Sequence, residues 1–187
     1  MVNQPFDVSC VITRLLADSA GSRGPLRGLI NPRRIAVAGH SDGGDTVAAD
    51  AFGTCCRDYH VAAAVILAGA ELASLGGSYF PPGSPPGLFV QGTSDSLNPP
   101  ANTETLYQAD RAAPKAKLLV SGAGHLPPYE GDGPAERLVA RVTTSFLQLT
   151  MLGSRTAGRP MMQEGTITGR SKLTTSGMPT GASTPPG

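Results

Sequence analysis

The sequence predicts an α/β domain, a mostly parallel sheet of about four strands flanked by helices, followed by a disordered C-terminal tail. Three observations lead there. Short apolar runs at 34–39, 61–67, 88–91 and 117–120 have strand length and no polar alternation, as strands buried on both faces do. Segments with apolar residues at helical spacing lie between most of them, which argues for right-handed crossovers covering both sides of a parallel sheet. From about Gly153 onward Thr, Ser, Gly, Pro and isolated basic residues dominate, with little to bury. The expected division is a folded unit over 1–152 and a low-complexity tail over 153–187.

Taken in order, Phe6, Val8, Val11, Ile12, Leu15 and Leu16 recur at helical spacing, and Pro5 suits a first turn, so a helix is expected over about 5–18. Gly21 to Pro25 breaks the chain before the first strand. Asp45 to about Phe52 reads as a helix with Gly53 as its stop. After the second strand, 70–86 is a loop rich in Gly, Ser and Pro. Asn98-Pro99-Pro100 then opens a helix running to about Ala112. Pro134 opens the last helix, whose Leu138, Val142, Phe146 and Leu149 form one apolar stripe.

Composition narrows the function. The chain has 187 residues, 40% hydrophobic and 16% charged, with a net charge of +1. That balance makes no electrostatic case for nucleic acid or an anionic membrane surface. No run approaches the roughly 20 apolar residues of a membrane span, and the N-terminus lacks the pattern of a signal peptide. A cytoplasmic location is the default expectation. The three cysteines, Cys10, Cys55 and Cys56, form no Cys-x-x-Cys or His/Cys cluster, so no zinc site is expected. Neighbouring cysteines rarely bridge, and all three are expected as small buried apolar residues.

The chemistry centres on Gly39-His40-Ser41-Asp42-Gly43. This Gly-x-Ser-x-Gly run lies between an expected strand and an expected helix, the context in which such a turn exposes a nucleophile. A sharp strand-to-helix turn strains the serine backbone, so the residues two away on each side must lack bulk. It also sets Ser41 at a helix N-terminus, where the backbone N–H of Asp42 faces a developing oxyanion. A serine nucleophile needs a base, and the base an orienter. Of the three histidines, His40 lies inside the turn with its side chain pointing elsewhere, and His60 precedes the second strand at the opposite sheet end. His125 follows the fourth strand at the C-terminal edge, where parallel sheets place their chemistry. Asp95 follows the third strand at that edge. Asp110 and Asp132 are worse placed, while Asp42 and Asp45 complement a helix dipole. The order is then Ser41, Asp95, His125.

Ile35 to Gly44, Gly92-Thr-Ser-Asp95 and Gly122-Ala-Gly-His125 together resemble an α/β-hydrolase, in the dienelactone hydrolase, chlorophyllase, platelet-activating-factor acetylhydrolase and cutinase-like group. The resemblance covers roughly residues 5–150. It implies Ser41 as nucleophile, Asp95 as acid and His125 as base. Dienelactone hydrolases proper use cysteine, so the serine points to an esterase-like branch. The family's sheet has eight strands, and those placed here resemble the fifth to eighth; the first four are expected upstream of Met1, as in an N-terminally truncated hydrolase. The loop that supplies the family's second oxyanion donor has no counterpart here, and Gly76-Gly77 does not replace it. In the family's strand order the 34–39 strand becomes an exposed apolar edge. The chain is accordingly expected to be a truncated hydrolase, to pair that edge in a homodimer, or to take its missing half from another chain.

Tyr79 and Phe80 are the expected wall of an acyl pocket, with Leu97 and Leu126 flanking the acid and base; packing is the competing role for each. A small uncharged pocket favours short carboxylic esters. No metal or organic cofactor is implied. Two other readings stay open: a weak or inactive hydrolase fragment acting as an interaction domain, and an acyltransferase of the same fold.

Overall fold

The computed structural model describes residues 3–111 and 114–178. Its main elements are α1 (Gln4–Ala20), β1 (Ile35–His40), α2 (Asp42–Phe52), β2 (Val61–Leu67), β3 (Gly87–Gly92), α3 (Pro100–Ala109), β4 (Lys115–Val120), α4 (Pro134–Leu152), α5 (Gly158–Gly165) and β5 (Ser171–Ser176). The strands form one sheet in the order β1-β2-β3-β4-β5. The first four are parallel and β5 runs antiparallel to β4. Among the described residues no helix is long and apolar enough to cross a membrane.

Strand alternation splits the core between the two faces. Val37, Ala64, Ile66 and Phe89 meet α1, α2 and α3 on one face through Ile12, Val47, Phe52 and Leu106. Val65, Leu88, Val90 and Leu118 meet α4 and α5 on the other through Val142, Phe146 and Met161. The sheet is thus covered on both sides, but the connecting helices α2 and α3 share one face, since strands laid down in sequential order are crossed on one side. β2 and β3 are buried almost throughout. β1 is not: Ala36 and Ala38 are exposed because β1 is the sheet's edge. The apolar spacing of α1 likewise overstates its burial, since Ile12 is buried but Phe6, Val11 and Leu15 are exposed.

Two expectations are corrected here. Residues 153–178 are not a disordered tail. Gly153 takes a left-handed conformation at φ 65 and ends α4; Ala157, just before α5, and Met161 within it then pack back on the core, and β5 inserts Leu173. These apolar residues are too sparse to read as a periodic pattern, yet each falls where β4 and α4 leave a gap, and β5 gives the sheet a fifth strand. Residues 179–187, in the same expected tail, lie outside the described residues. The cysteines differ too. Cys55 and Cys56 form a disulfide with each other, in the turn where the Cys56 N–H bonds the Gly53 carbonyl at 3.3 Å. Cys10 is a free thiol on the exposed side of α1.

One buried charge makes stability pH-dependent. Asp50 of α2 is fully buried, accepts a bond from Ser9 Oγ at 3.0 Å, and keeps its other carboxylate oxygen without a partner. Burial pushes its carboxyl up to about 6, against a lowering by Ser9 and a further raise from Asp58. The folded state therefore holds this proton more tightly than the unfolded chain. The stability from this group is fully present below the ordinary carboxylate pKa and is lost as pH rises through about 6. Asp50→Asn is expected to raise stability at pH 8 by about 1–3 kcal/mol and to add little at pH 4. Urea denaturation at the two pH values checks this; equal effects at both would rule it out.

Candidate active site

The C-terminal ends of β1, β3 and β4 meet at one edge of the sheet. β1 ends at His40 and α2 begins at Asp42, leaving Ser41 alone between strand and helix. Ser41 sits at φ 58, ψ −124, a region that costs a non-glycine residue about 1–3 kcal/mol. Its N–H bonds the Leu67 carbonyl at 3.0 Å and its carbonyl accepts the Asp45 N–H at 3.0 Å, so both neighbouring elements hold the strain in place.

Gly39 makes the turn possible. A Cβ there would lie 2.0 Å from the Gly43 carbonyl oxygen and 2.3 Å from its carbon. Gly43 differs from the expectation: a Cβ at that position meets nothing within 4 Å. Steric demand therefore falls on Gly39 before the serine and on Gly44 after it, where a Cβ would come within 3.0 Å of the Leu67 carbonyl oxygen, and not on Gly43. Gly39→Ala is expected to destabilise the fold by about 3 kcal/mol or more, since backbone must give way, while Gly43→Ala costs under about 1 kcal/mol. Thermal denaturation of the pair measures the contrast, and equal losses would contradict it.

Ser41 Oγ lies 2.8 Å from His125 Nε2, and His125 Nδ1 lies 2.7 Å from Asp95 Oδ2. The Asp95 side chain is fully buried and His125 nearly so. Burial alone would raise the Asp95 carboxyl. Hydrogen bonds from the Asn98 N–H, His125 and the Leu97 N–H outweigh that and hold it below the ordinary carboxylate value. Asp95 is therefore an anion near neutral pH. His125 Nδ1–H donates to it, which leaves Nε2 as the acceptor for the Ser41 hydroxyl.

Several supports were not legible as site residues. Gln91, in an otherwise apolar strand end, is fully buried. Its Nε2 donates to Asp95 Oδ2 at 2.8 Å and to the Asn98 carbonyl at 3.1 Å, while its Oε1 accepts from Thr103 Oγ1 at 2.9 Å. A lone amide in the run Leu88 to Gly92 was the available signal. The loop carrying His125 crosses directly above Gly92, where a Cβ would come within 2.4 Å of the Ala123 carbonyl. His40 points away from Ser41, as its place in the turn predicts, and back toward His125. Its Nε2–H donates to the His125 carbonyl at 3.0 Å, and its ring stacks between His125 and Tyr129. Tyr129 in turn donates to the Val90 carbonyl at 3.1 Å. Burial, with the Asp95 charge adding to it, raises the Tyr129 hydroxyl pKa, so it stays a neutral donor.

The Asp42 N–H is the first of α2. Helix geometry gives it no intrahelical partner and directs it, with the positive end of the dipole, toward the serine's side of the turn. Asp45 is occupied elsewhere: its carboxylate accepts the Ala70 N–H at 2.6 Å. His60 lies away from this edge and is paired with Asp58 at 2.8 Å.

The acyl-pocket residues divide. Leu97 and Leu126, close in sequence to Asp95 and His125, are 75% and 48% exposed. Tyr79 and Phe80 are used inside the fold. The Phe80 N–H bonds the Phe52 carbonyl at 2.9 Å and its ring stacks on Phe52 at 4.7 Å. The Tyr79 hydroxyl accepts the Leu72 N–H at 3.0 Å and its backbone bridges Gly53. By residues 79–80 the loop backbone has descended to the C-terminal end of α2, away from Ser41, and this corrects the expected role of Phe80 as pocket wall, while the Tyr79 side chain reaches back to Leu72. A shallow hollow of about 360 Å³ borders Gly39 and Gly43 instead, at the open side of β1. Among the described residues no three His, Cys, Asp or Glu side chains gather as a metal-binding group. No protein-family model matches this chain, and no curated protein matches it.

Proposed function

We propose that the protein is a serine hydrolase of the α/β-hydrolase type that cleaves small carboxylic esters through an acyl-enzyme. The observation that carries this reading is the hydrogen-bonded chain from Ser41 Oγ through both His125 nitrogens to the Asp95 carboxylate, with Ser41 held at positive φ. Backbone strain in a non-glycine residue persists only where the surroundings impose it, and such strain collects at functional positions.

Ser41 Oγ attacks the ester carbonyl carbon as its proton passes to His125 Nε2. The Asp95 charge stabilises the imidazolium that forms, and the Asp42 N–H faces the oxygen that becomes negative. Collapse of the tetrahedral adduct breaks the bond to the leaving alkoxy group, which takes the proton from His125. Water, deprotonated by the same imidazole, then attacks the acyl carbon and releases the carboxylic acid and free Ser41. The exposed Leu97 and Leu126 favour an apolar acyl or alcohol portion of modest size.

A fluorophosphonate probe tests the reading directly. One label per chain, located on Ser41 by peptide mass spectrometry and blocked by prior reaction with p-nitrophenyl acetate, is the expected result. Folded protein that takes no label and shows no acyl-enzyme burst would remove it.

A further inference from the structure

A second cleft lies away from Ser41. It opens between the start of α4 and the turn 168–170 that leads into β5, with a volume of about 540 Å³, within the range of about 300–1,000 Å³ typical of small-molecule sites. Neither Ser41, Asp95 nor His125 lines it. Three arginines do: Arg137, Arg141 and Arg170. Among the described residues no Asp or Glu lines it, so the charged residues there are of one sign.

Arg137 and Arg141 stand one turn apart on α4, a spacing at which like charges repel by a few tenths of a kcal/mol. Little in the chain offsets this. Arg141 has Glu164 only at 3.8 Å, Arg137 donates to the neutral Asp132 carbonyl, and Arg170 makes no ion pair among the described residues. Ala135, in the first turn of the long helix α4, brings the positive end of its dipole to the same cleft. The floor is apolar, formed by Val120, Leu138 and Ile167. Beneath it, the buried hydroxyl of Ser171 has no partner. Ser171 pairs in register with Val120 and shares the face of Leu173, so it points into the layer that holds the cleft.

We infer that this cleft binds an amphipathic oxyanion, a carboxylate or phosphate head on a short apolar body. The head is held by the planar forks of Arg137, Arg141 and Arg170, which suit two-oxygen recognition, and the body lies on the Val120–Leu138–Ile167 floor. Binding at this cleft does not depend on ester hydrolysis at Ser41.

Calorimetric titration of the full chain with octanoate, octyl phosphate, inorganic phosphate and octanol tests it. The expected result is one site for octanoate or octyl phosphate that weakens as salt rises. Inorganic phosphate should bind more weakly, and octanol should not bind. Whichever amphiphile binds tighter identifies the head group. Arg137→Gln with Arg170→Gln should weaken binding by about tenfold or more. Ser41→Ala should leave it unchanged, which separates this cleft from product binding at the triad. Amide resonances of Ser121 and Gly169 should shift on titration. Should the double variant unfold, Arg170→Gln alone carries the same expectation from its exposed turn. Octanol binding as well as octanoate, variants that bind like the parent, or no binding of either amphiphile at millimolar concentration would each overturn the inference.

Discussion

Ser41→Ala is expected to lower p-nitrophenyl acetate hydrolysis by a factor of at least about 10³, with little change in stability. The size follows from what the residue does in the proposed reaction. Without Oγ no acyl-enzyme forms, and His125 can at most draw on a water molecule that nothing positions. Residues acting as one unit are non-additive, so His125→Ala in the Ser41→Ala background should cost little more. The sign on stability is also specific. Ser41 is held at φ 58 in any case, and alanine meets the same backbone strain with one partly buried hydrogen bond fewer. The measurement is steady-state kinetics beside a thermal melt, and the fluorophosphonate label should vanish with the activity. A Ser41→Ala chain that is fully folded and still hydrolyses the ester near the parent rate would show that the triad is not the catalyst.

Asp95→Asn should be nearly as damaging, by about 10³–10⁴ in turnover, and it should also cost stability. Four donors converge on this carboxylate: the Leu97 and Asn98 N–H groups on Oδ1, each at 2.9 Å, and Gln91 Nε2 and His125 Nδ1 on Oδ2. An amide replaces one oxygen by a group that only donates. In one orientation it opposes the two backbone N–H groups. In the other it opposes Gln91 and forces His125 to accept at Nδ1, which moves the proton to Nε2 and ends its use as a base toward Ser41. Each buried donor left facing a donor costs about 1–3 kcal/mol. The pH behaviour of the parent has a defined sign. The Asp95 pKa is lowered in the fold, so the stability it contributes is present above the ordinary carboxylate value and is lost as pH falls through the lowered one. Comparing acid-limb stability curves of Asp95→Asn and the parent measures that share directly. An active Asp95→Asn chain of unchanged stability would contradict both halves of this prediction.

Much of the architecture was legible because it is written locally. Strand length and the lack of alternation marked β2 and β3, whose residues are buried on both faces. Their order and the C-terminal edge they define were enough to single out Ser41, Asp95 and His125. The histidine stands 84 positions from the serine it touches, and a parallel sheet brings strand ends together whatever the separation. The other site residues were not legible, because their meaning depends on what lies across a gap. Gln91 reads as a polar blemish in a strand until Asp95 and Thr103 are seen on either side of it. Phe80 had the right chemistry for a pocket, but the path of a Gly- and Pro-rich loop carried it onto Phe52 at the C-terminal end of α2.

The sequence by itself determined the parallel strands, the strand–Ser41–helix turn and the chain order of Ser41, Asp95 and His125, all set by residue spacing and by the conformations a short run permits. Tertiary structure alone decided that a stretch with few apolar residues folds onto β4 as α5 and β5. It also decided that three arginines from two distant segments share one cleft. The physical reason is range. Periodicity and turn chemistry act over a few residues, whereas burial depends on which surfaces are left uncovered once every other element is in place.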